Sequence, residues 1–165
     1  MPVAHPLFGE LEYNEECEEY QGTIVMMFAG AKTPVELKIA EFAEQSGIET
    51  LHCATYEALT TNWNAIEPAV LQAIVEYQNE EWSSTDYTQS FPQFETADDA
   101  ARNVALCGVK LELKRGEQTA GAEWQKLDDR YAVLYFNAEW VNNDYRVLSV
   151  ELTNEEVTQV SDQDI

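Results

Sequence analysis

Apolar and polar positions alternate with a period of two at both ends of the chain and with a period near 3.6 in its middle, and this change of period predicts the elements. In residues 7–13 the apolar Leu11 and Tyr13 alternate with acids, which predicts a strand running into an acidic turn over residues 14–19. Residues 23–28, TIVMMF, are a continuous apolar run rich in β-formers, the pattern of a strand covered on both faces. Residues 33–39 alternate cleanly, with Val35, Leu37 and Ile39 on one side and Glu36 and Lys38 on the other, as in a half-exposed strand. From Ser46 the period becomes helical. Ser46 and Glu49 stand at capping-box spacing, and Ile48, Leu51, Thr55, Ala58 and Leu59 fall on one stripe. Trp63-Asn64 interrupts this helix, and Glu67-Pro68 suits a second start, because proline at the first helical position gives up a donor that has no partner there anyway. Val70, Leu71, Ile74 and Tyr77 supply its buried face, so the two helices read as an αα-hairpin lying against the sheet.

Residues 82–94 read as a connecting loop with Ser83-Ser84-Thr85 and Pro92. Thr96 followed by Asp98 and Asp99 predicts the capped start of a short helix, with Ala100, Ala101, Val104 and Ala105 packing. Gly108 then opens a strand in which Val109, Leu111 and Leu113 alternate with Lys110, Glu112 and Lys114. Residues 131–140 and 147–152 follow as strands, and residues 156–160 as an edge strand. The expected fold class is α+β: a largely antiparallel sheet with an N-terminal strand group, a central αα-hairpin, a short third helix and a C-terminal β-meander, in a single acidic domain over residues 1–165.

Charge changes the picture from fold to function. The chain carries 31 Asp and Glu against 9 Lys and Arg, a formal net charge of -22, and seven of the nine cations lie between Arg102 and Arg146. Such a field repels nucleic acid and anionic lipid and steers cationic partners inward. The 45% apolar content, with four Trp, eight Tyr and six Phe, excludes a disordered acidic tail. No N-terminal leader pattern and no apolar run long enough for a membrane span is present, so no membrane association is expected. Cys17, Cys53 and Cys107 are odd in number and widely spaced, which fits neither a disulfide framework nor a metal motif and points to a reducing cytoplasm.

Candidate chemistry is sparse. The two histidines, His5 and His52, show no metal-ligand spacing. His52 and Cys53 are sequence neighbours on a helix and so point about 100° apart, which argues against a nucleophilic pair and for a boundary histidine beside a buried thiol. No glycine-rich phosphate loop and no calcium-loop spacing occurs among the many acidic pairs. No catalytic, cofactor-binding or metal residue is therefore assigned. Two segments combine acids with large amphipathic rings: Glu15, Glu16, Glu18 and Glu19 with Tyr20, and Glu80, Glu81 and Trp82 with Asp86 and Tyr87. Aromatic anchors inside a charged rim are what a protein-binding surface needs. The plainer reading is that Tyr20 and Trp82 plug the edge of the core.

The N-terminal hairpin, the helical segment Ala73-Ile74-Val75-Glu76-Tyr77 and the closing strands over residues 131–140 and 146–152 together resemble small acidic bacterial domains similar to immunity proteins of polymorphic toxin systems. The resemblance implies a cytoplasmic inhibitor that binds another protein tightly. Where those domains carry an acidic-His-Gly turn after the tryptophan, this chain has Val141-Asn142-Asn143-Asp144, so no residue of that turn carries over. The expected partner is a basic toxin or nucleic-acid-acting protein, engaged without direct nucleic-acid binding. The alternatives are a phage or plasmid DNA mimic, a carboxylate-based hydrolase or calcium-binding protein, and acids serving only as adaptation to high salt.

Overall fold

The structure, a computed structural model, describes residues 2–41, 47–81, 94–115, 126–138 and 146–164. Four strands come first, β1 Pro2–His5, β2 Gly9–Asn14, β3 Glu19–Phe28 and β4 Ala31–Ala40. Three helices follow, α1 Thr50–Thr61, α2 Trp63–Glu81 and α3 Ala97–Asn103, and then β5 Val104–Arg115, β6 Lys126–Ala138, β7 Arg146–Thr153 and β8 Glu156–Asp164. The eight strands among the described residues form one sheet in sequence order. Every neighbouring pair is antiparallel except β4–β5, which is parallel because the three helices carry the chain back between them. Two four-stranded meanders are thus joined at a central parallel seam, an α+β arrangement. Among the described residues no helix is long and apolar enough to cross a membrane.

The helices lie on one face, and the core is the alternation of each strand brought into register beneath them. Val35, Leu37 and Ile39 of β4, Val109 and Leu111 of β5, Leu134 and Phe136 of β6 and Leu148 and Val150 of β7 meet Leu59, Trp63, Ile66, Val70 and Ile74 of the helices, all buried. The apolar run of β3 behaves differently from expectation. Ile24, Met26 and Phe28 are buried, but Val25 is 63% and Met27 47% exposed, because nothing among the described residues covers the other face of this strand. A run that reads as covered on both faces is covered on one.

The helical region is also corrected. α1 takes Glu49 as its N-cap and starts at Thr50, with Ser46 outside the described residues. Its buried line is His52, Thr55 and Leu59. Only Asn62 separates α1 from α2, too short a linker for the two-to-five-residue reversal of an αα-hairpin. The helices do not lie flank to flank: α1 packs on β5 and β6, whereas α2 packs on α3 and β8. Pro68 sits inside α2 instead of opening it. It and Asn64 are exposed, so water can take the bond that the missing N–H would have made to the Asn64 carbonyl. α2 starts where the Trp63 indole N–H donates to the Met27 carbonyl of β3 and ends near the Tyr77 hydroxyl, which donates to Asp162 of β8 at 2.9 Å. Its 19 residues span about 28 Å, enough to cross the five strand spacings, about 24 Å, between β3 and β8. α3 begins as expected, with Thr96 accepting from the Asp99 N–H while Asp99 accepts from the Thr96 N–H. β5 opens four residues before Gly108, which lies at a register shift.

Gly22 decides how the N-terminal hairpin sits. A Cβ there would lie 2.6 Å from Leu11 Cδ2 and 3.0 Å from the Glu10 carbonyl oxygen, so β2 crosses β3 where only glycine leaves room. Pairing of β2 with β3 is confined to Glu12↔Gln21, Tyr13↔Tyr20 and Asn14↔Glu19. Beyond that crossing the β1–β2 hairpin folds toward the helices, with Phe8 buried edge-on against Tyr56 of α1 and His5 reaching Cys53. β1, absent from the sequence expectation, is the outer strand of this hairpin.

Candidate functional site

The helix-free face of the sheet collects charge and tyrosine. Its strands contribute Glu19 and Gln21 from β3, Glu36 and Lys38 from β4, Lys110 and Glu112 from β5, Tyr131 and Tyr135 from β6 and Glu151 from β7, all on the side opposite the core alternation. Glu19 is buried, and its carboxylate accepts from Gln21 Nε2 at 2.8 Å and faces Lys110 Nζ at 3.7 Å. Lys110 Nζ also lies 3.3 Å from Glu112. Burial pulls the Lys110 ammonium toward neutrality, but Glu112, Tyr135 and Glu19 outweigh it and its pKa lies above the usual lysine value. Burial and the Glu151 carboxylate, which accepts from the Tyr131 hydroxyl, push the Tyr131 phenol far up. Burial likewise raises Tyr135, with Lys110 opposing. Hydrogen bonds and ion pairs thus link strands across this face.

At the β1–β3 end the face changes character. Glu10 and Glu12 of β2 and Glu15, Glu16 and Glu18 of the β2–β3 turn are exposed, and no cation lies within ion-pair distance of them among the described residues. Asn14 Oδ1 accepts from the Glu16 and Cys17 N–H groups at 2.9 and 3.3 Å and shapes the turn, with Glu18 in the left-handed region at φ 54. Below the acids lies an apolar strip: Val25 is directly opposite Pro34, and Met27 opposite Lys32.

The residues marked by sequence are separated by this arrangement. Glu15, Glu16 and Glu18 remain together at the turn, but Glu19 and Tyr20 point to opposite faces. Glu19 is spent on Lys110, and Tyr20 packs at the rim of the core, its ring 5.0 Å from that of Tyr13. Both tyrosines work with Glu41, which accepts from the Tyr13 hydroxyl at 3.2 Å and from the Gly47 N–H at 3.0 Å. Partial burial and Glu41 raise the pKa values of both phenols. Tyr20 therefore follows the plainer core-edge reading. Glu80 is exposed near the C-terminus of α2, on the β8 side and about five strand spacings from the turn, so it does not join the acids there. Glu81 ends α2, and Trp82, Asp86 and Tyr87 lie outside the described residues.

Among the described residues, the cations between Arg102 and Arg130 do not share one face either. Lys110 lies on the helix-free face, whereas Arg130 turns the other way, where its Nε and Nη2 donate to Glu155 at 2.8 and 2.9 Å. Lys38 pairs with Glu36 and Arg102 with Asp99. Beside the Arg130–Glu155 pair, a cavity lined by Thr55, Leu59, Ala132 and Leu152 has room for about one water, roughly 10 Å³.

The histidines both occupy built positions that sequence reading missed. His52 is fully buried rather than at a boundary: its Nδ1 accepts from the Glu49 N–H at 3.0 Å, and its Nε2 donates to the Ala40 carbonyl at 2.9 Å, tying the start of α1 to the end of β4. Those two bonds select one neutral tautomer. His5 Nε2 stands 4.0 Å from Cys53 Sγ while its Nδ1 accepts from the Leu7 N–H. The Cys53 thiol is half-buried, and burial together with Glu57 raises its pKa, the opposite of an activated nucleophile. Among the described residues no group of three or more His, Cys, Asp or Glu side chains is placed to hold a metal ion.

Fold and surface together define an acidic α+β protein with an open eight-stranded sheet, helices on one face and a charged, partly apolar opposite face. Residues 7–165 match the family described as Domain of unknown function (DUF6985), and the chain belongs to that family. No curated protein and no solved structure matches it.

Proposed function

We propose that the protein is a non-catalytic binding protein whose acidic surface takes a basic protein partner, in the manner of an immunity-type inhibitor that neutralises a toxin or nucleic-acid-acting protein. The observation that carries this reading is the distribution of the charge pairs. Among the described residues Lys38, Arg102, Lys110 and Arg130 each lie within ion-pair distance of a carboxylate and Lys32 does not, whereas Glu10, Glu12, Glu15, Glu16 and Glu18 stand exposed at one end of the sheet with no cation that near. Like charges gathered this closely destabilise the fold modestly, and a cationic partner relieves that repulsion while gaining long-range steering and charge-assisted hydrogen bonds.

The test is calorimetry with the purified basic proteins encoded beside this chain, at about 50 and 500 mM salt. A complex whose affinity falls at least tenfold at the higher salt, and which weakens when Glu10, Glu12 and Glu15 are changed to lysine, is the expected result. If none of the cationic neighbours binds, or if the charge-reversed variant binds equally well, the reading fails.

A further inference from the structure

We propose that the lower half of β3, from Thr23 to Met27, is a docking edge on which the basic partner lays an extended segment as an additional strand. This rests on the preceding reading that the partner is cationic, and it names how and where that partner is held.

The register sets the direction of the backbone groups. Ala29 and Gly30 are both left-handed, at φ 50 and 81, and form the two-residue turn between β3 and β4. In such a hairpin the flanking residues Phe28 and Ala31 exchange hydrogen bonds, and every second residue along β3 does the same. Phe28, Met26 and Ile24 therefore bond to β4, while Thr23, Val25 and Met27 direct their N–H and C=O groups to the other side. On that side β2 stops pairing at Gln21, because the crossing at Gly22 carries the hairpin away. Below it, among the described residues, no strand lies alongside. The Trp63 indole independently fixes the direction: its N–H reaches the Met27 carbonyl, which has to point away from β4 to receive it. That contact closes the lower end and leaves the outward groups of Thr23 and Val25 without a strand partner among the described residues.

The side chains match the backbone. Natural edges are blunted by charge, proline or a bulge, yet this stretch presents Thr23, Val25 and Met27, all exposed. Added-strand recognition draws affinity from main-chain hydrogen bonds and selectivity from alternate side chains. Here the alternate positions Val25 and Met27 are apolar, and the charges around them are mostly acidic, with Glu10 and Glu12 above and Glu36 opposite Thr23 against the one cation Lys32 opposite Met27. The occupant that fits is a segment in which lysine or arginine alternates with aliphatic residues. A second copy of this chain is disfavoured, since each copy carries a net charge of -22.

Amide hydrogen exchange with a ten-residue peptide of alternating lysine and valine tests the proposal. In the free protein the Thr23 and Val25 amides should exchange at least tenfold faster than those of Ile24 and Met26. The peptide should slow them at least tenfold, and a peptide of the same side chains N-methylated throughout should not. Val25→Pro removes only an outward-facing donor, so the β3–β4 ladder survives and the thermal midpoint moves little, while affinity for the peptide falls at least tenfold. Slow exchange of Thr23 and Val25 in the free monomer would overturn the proposal, and so would protection by self-association at rising concentration. Equal binding of the N-methylated peptide, or of the proline variant, would sink the edge while leaving the cationic reading standing. Absence of binding to any cationic probe would remove both.

Discussion

At the scale of single residues, the difference between an exposed acid and a committed one organises the surface. Glu16 and Glu19 are three positions apart in the same acidic segment, but one is solvated and the other is buried against Lys110 and Gln21. Removing the ammonium strands the Glu19 carboxylate. Lys110→Met should therefore cost about 1–3 kcal/mol, below the cost of breaking a fully buried pair because Lys110 keeps partial access to water. Glu19→Gln in the same background should restore part of that loss. Urea unfolding of the two single variants and the double variant measures the coupling, and strictly additive effects would show that the pair does not act as a unit.

At the scale of elements, the decisive contact is the crossing of β2 over β3. Gly22 is needed there for want of space, not for its backbone angles, since one atom in the way is the Glu10 backbone oxygen and cannot swing aside. Gly22→Ala should destabilise the protein by about 1–3 kcal/mol, the usual cost of overpacking, and it should loosen the β1–β2 hairpin first. Exchange of the amides in β1 and β2 should speed up more than that of β5 and β6. An unchanged melting curve would mean that the hairpin does not cross as described. The same crossing bares the lower β3 edge, so one glycine links the closing of the core at α1 with the opening of a surface.

For the whole molecule, the half-buried phenols set an upper pH limit. Tyr13, Tyr20, Tyr56, Tyr131 and Tyr135 all have pKa values raised from the ordinary 10.0, first through burial and then, for all but Tyr56, through neighbouring carboxylates. Lys110 is raised as well. Each holds its proton more tightly folded than unfolded. The stability they contribute is full below pH 10 and is lost as pH rises from there through the folded values. Phenolate absorbance near 295 nm should accordingly lag behind free tyrosine and then climb together with the loss of circular dichroism. Ionisation of all these phenols at pH 10 with the fold intact would contradict the network of the helix-free face.

Much of the fold was legible because local pattern and tertiary role agree. Val35, Leu37 and Ile39 alternate and are buried on one side, Thr96 caps α3, and the C-terminal strands overlap the segments expected from alternation, with β6 starting five residues earlier and residues 139–145 outside the described residues. The exposed acids of the β2–β3 turn were legible too, since Glu15, Glu16 and Glu18 stay in solvent. Composition and periodicity thus determined the class of fold and the sign of the surface. They could not determine which face of β3 is covered, because TIVMMF reads the same whether one side or both are packed. Nor could they assign Glu19 to Lys110, His5 to Cys53 or His52 to Ala40, contacts between residues 12 to 91 positions apart in the chain. Those were decided by the register of eight strands and the path of α2 across them, since a side chain's partners depend on which strand lies beside its own and not on its neighbours in sequence.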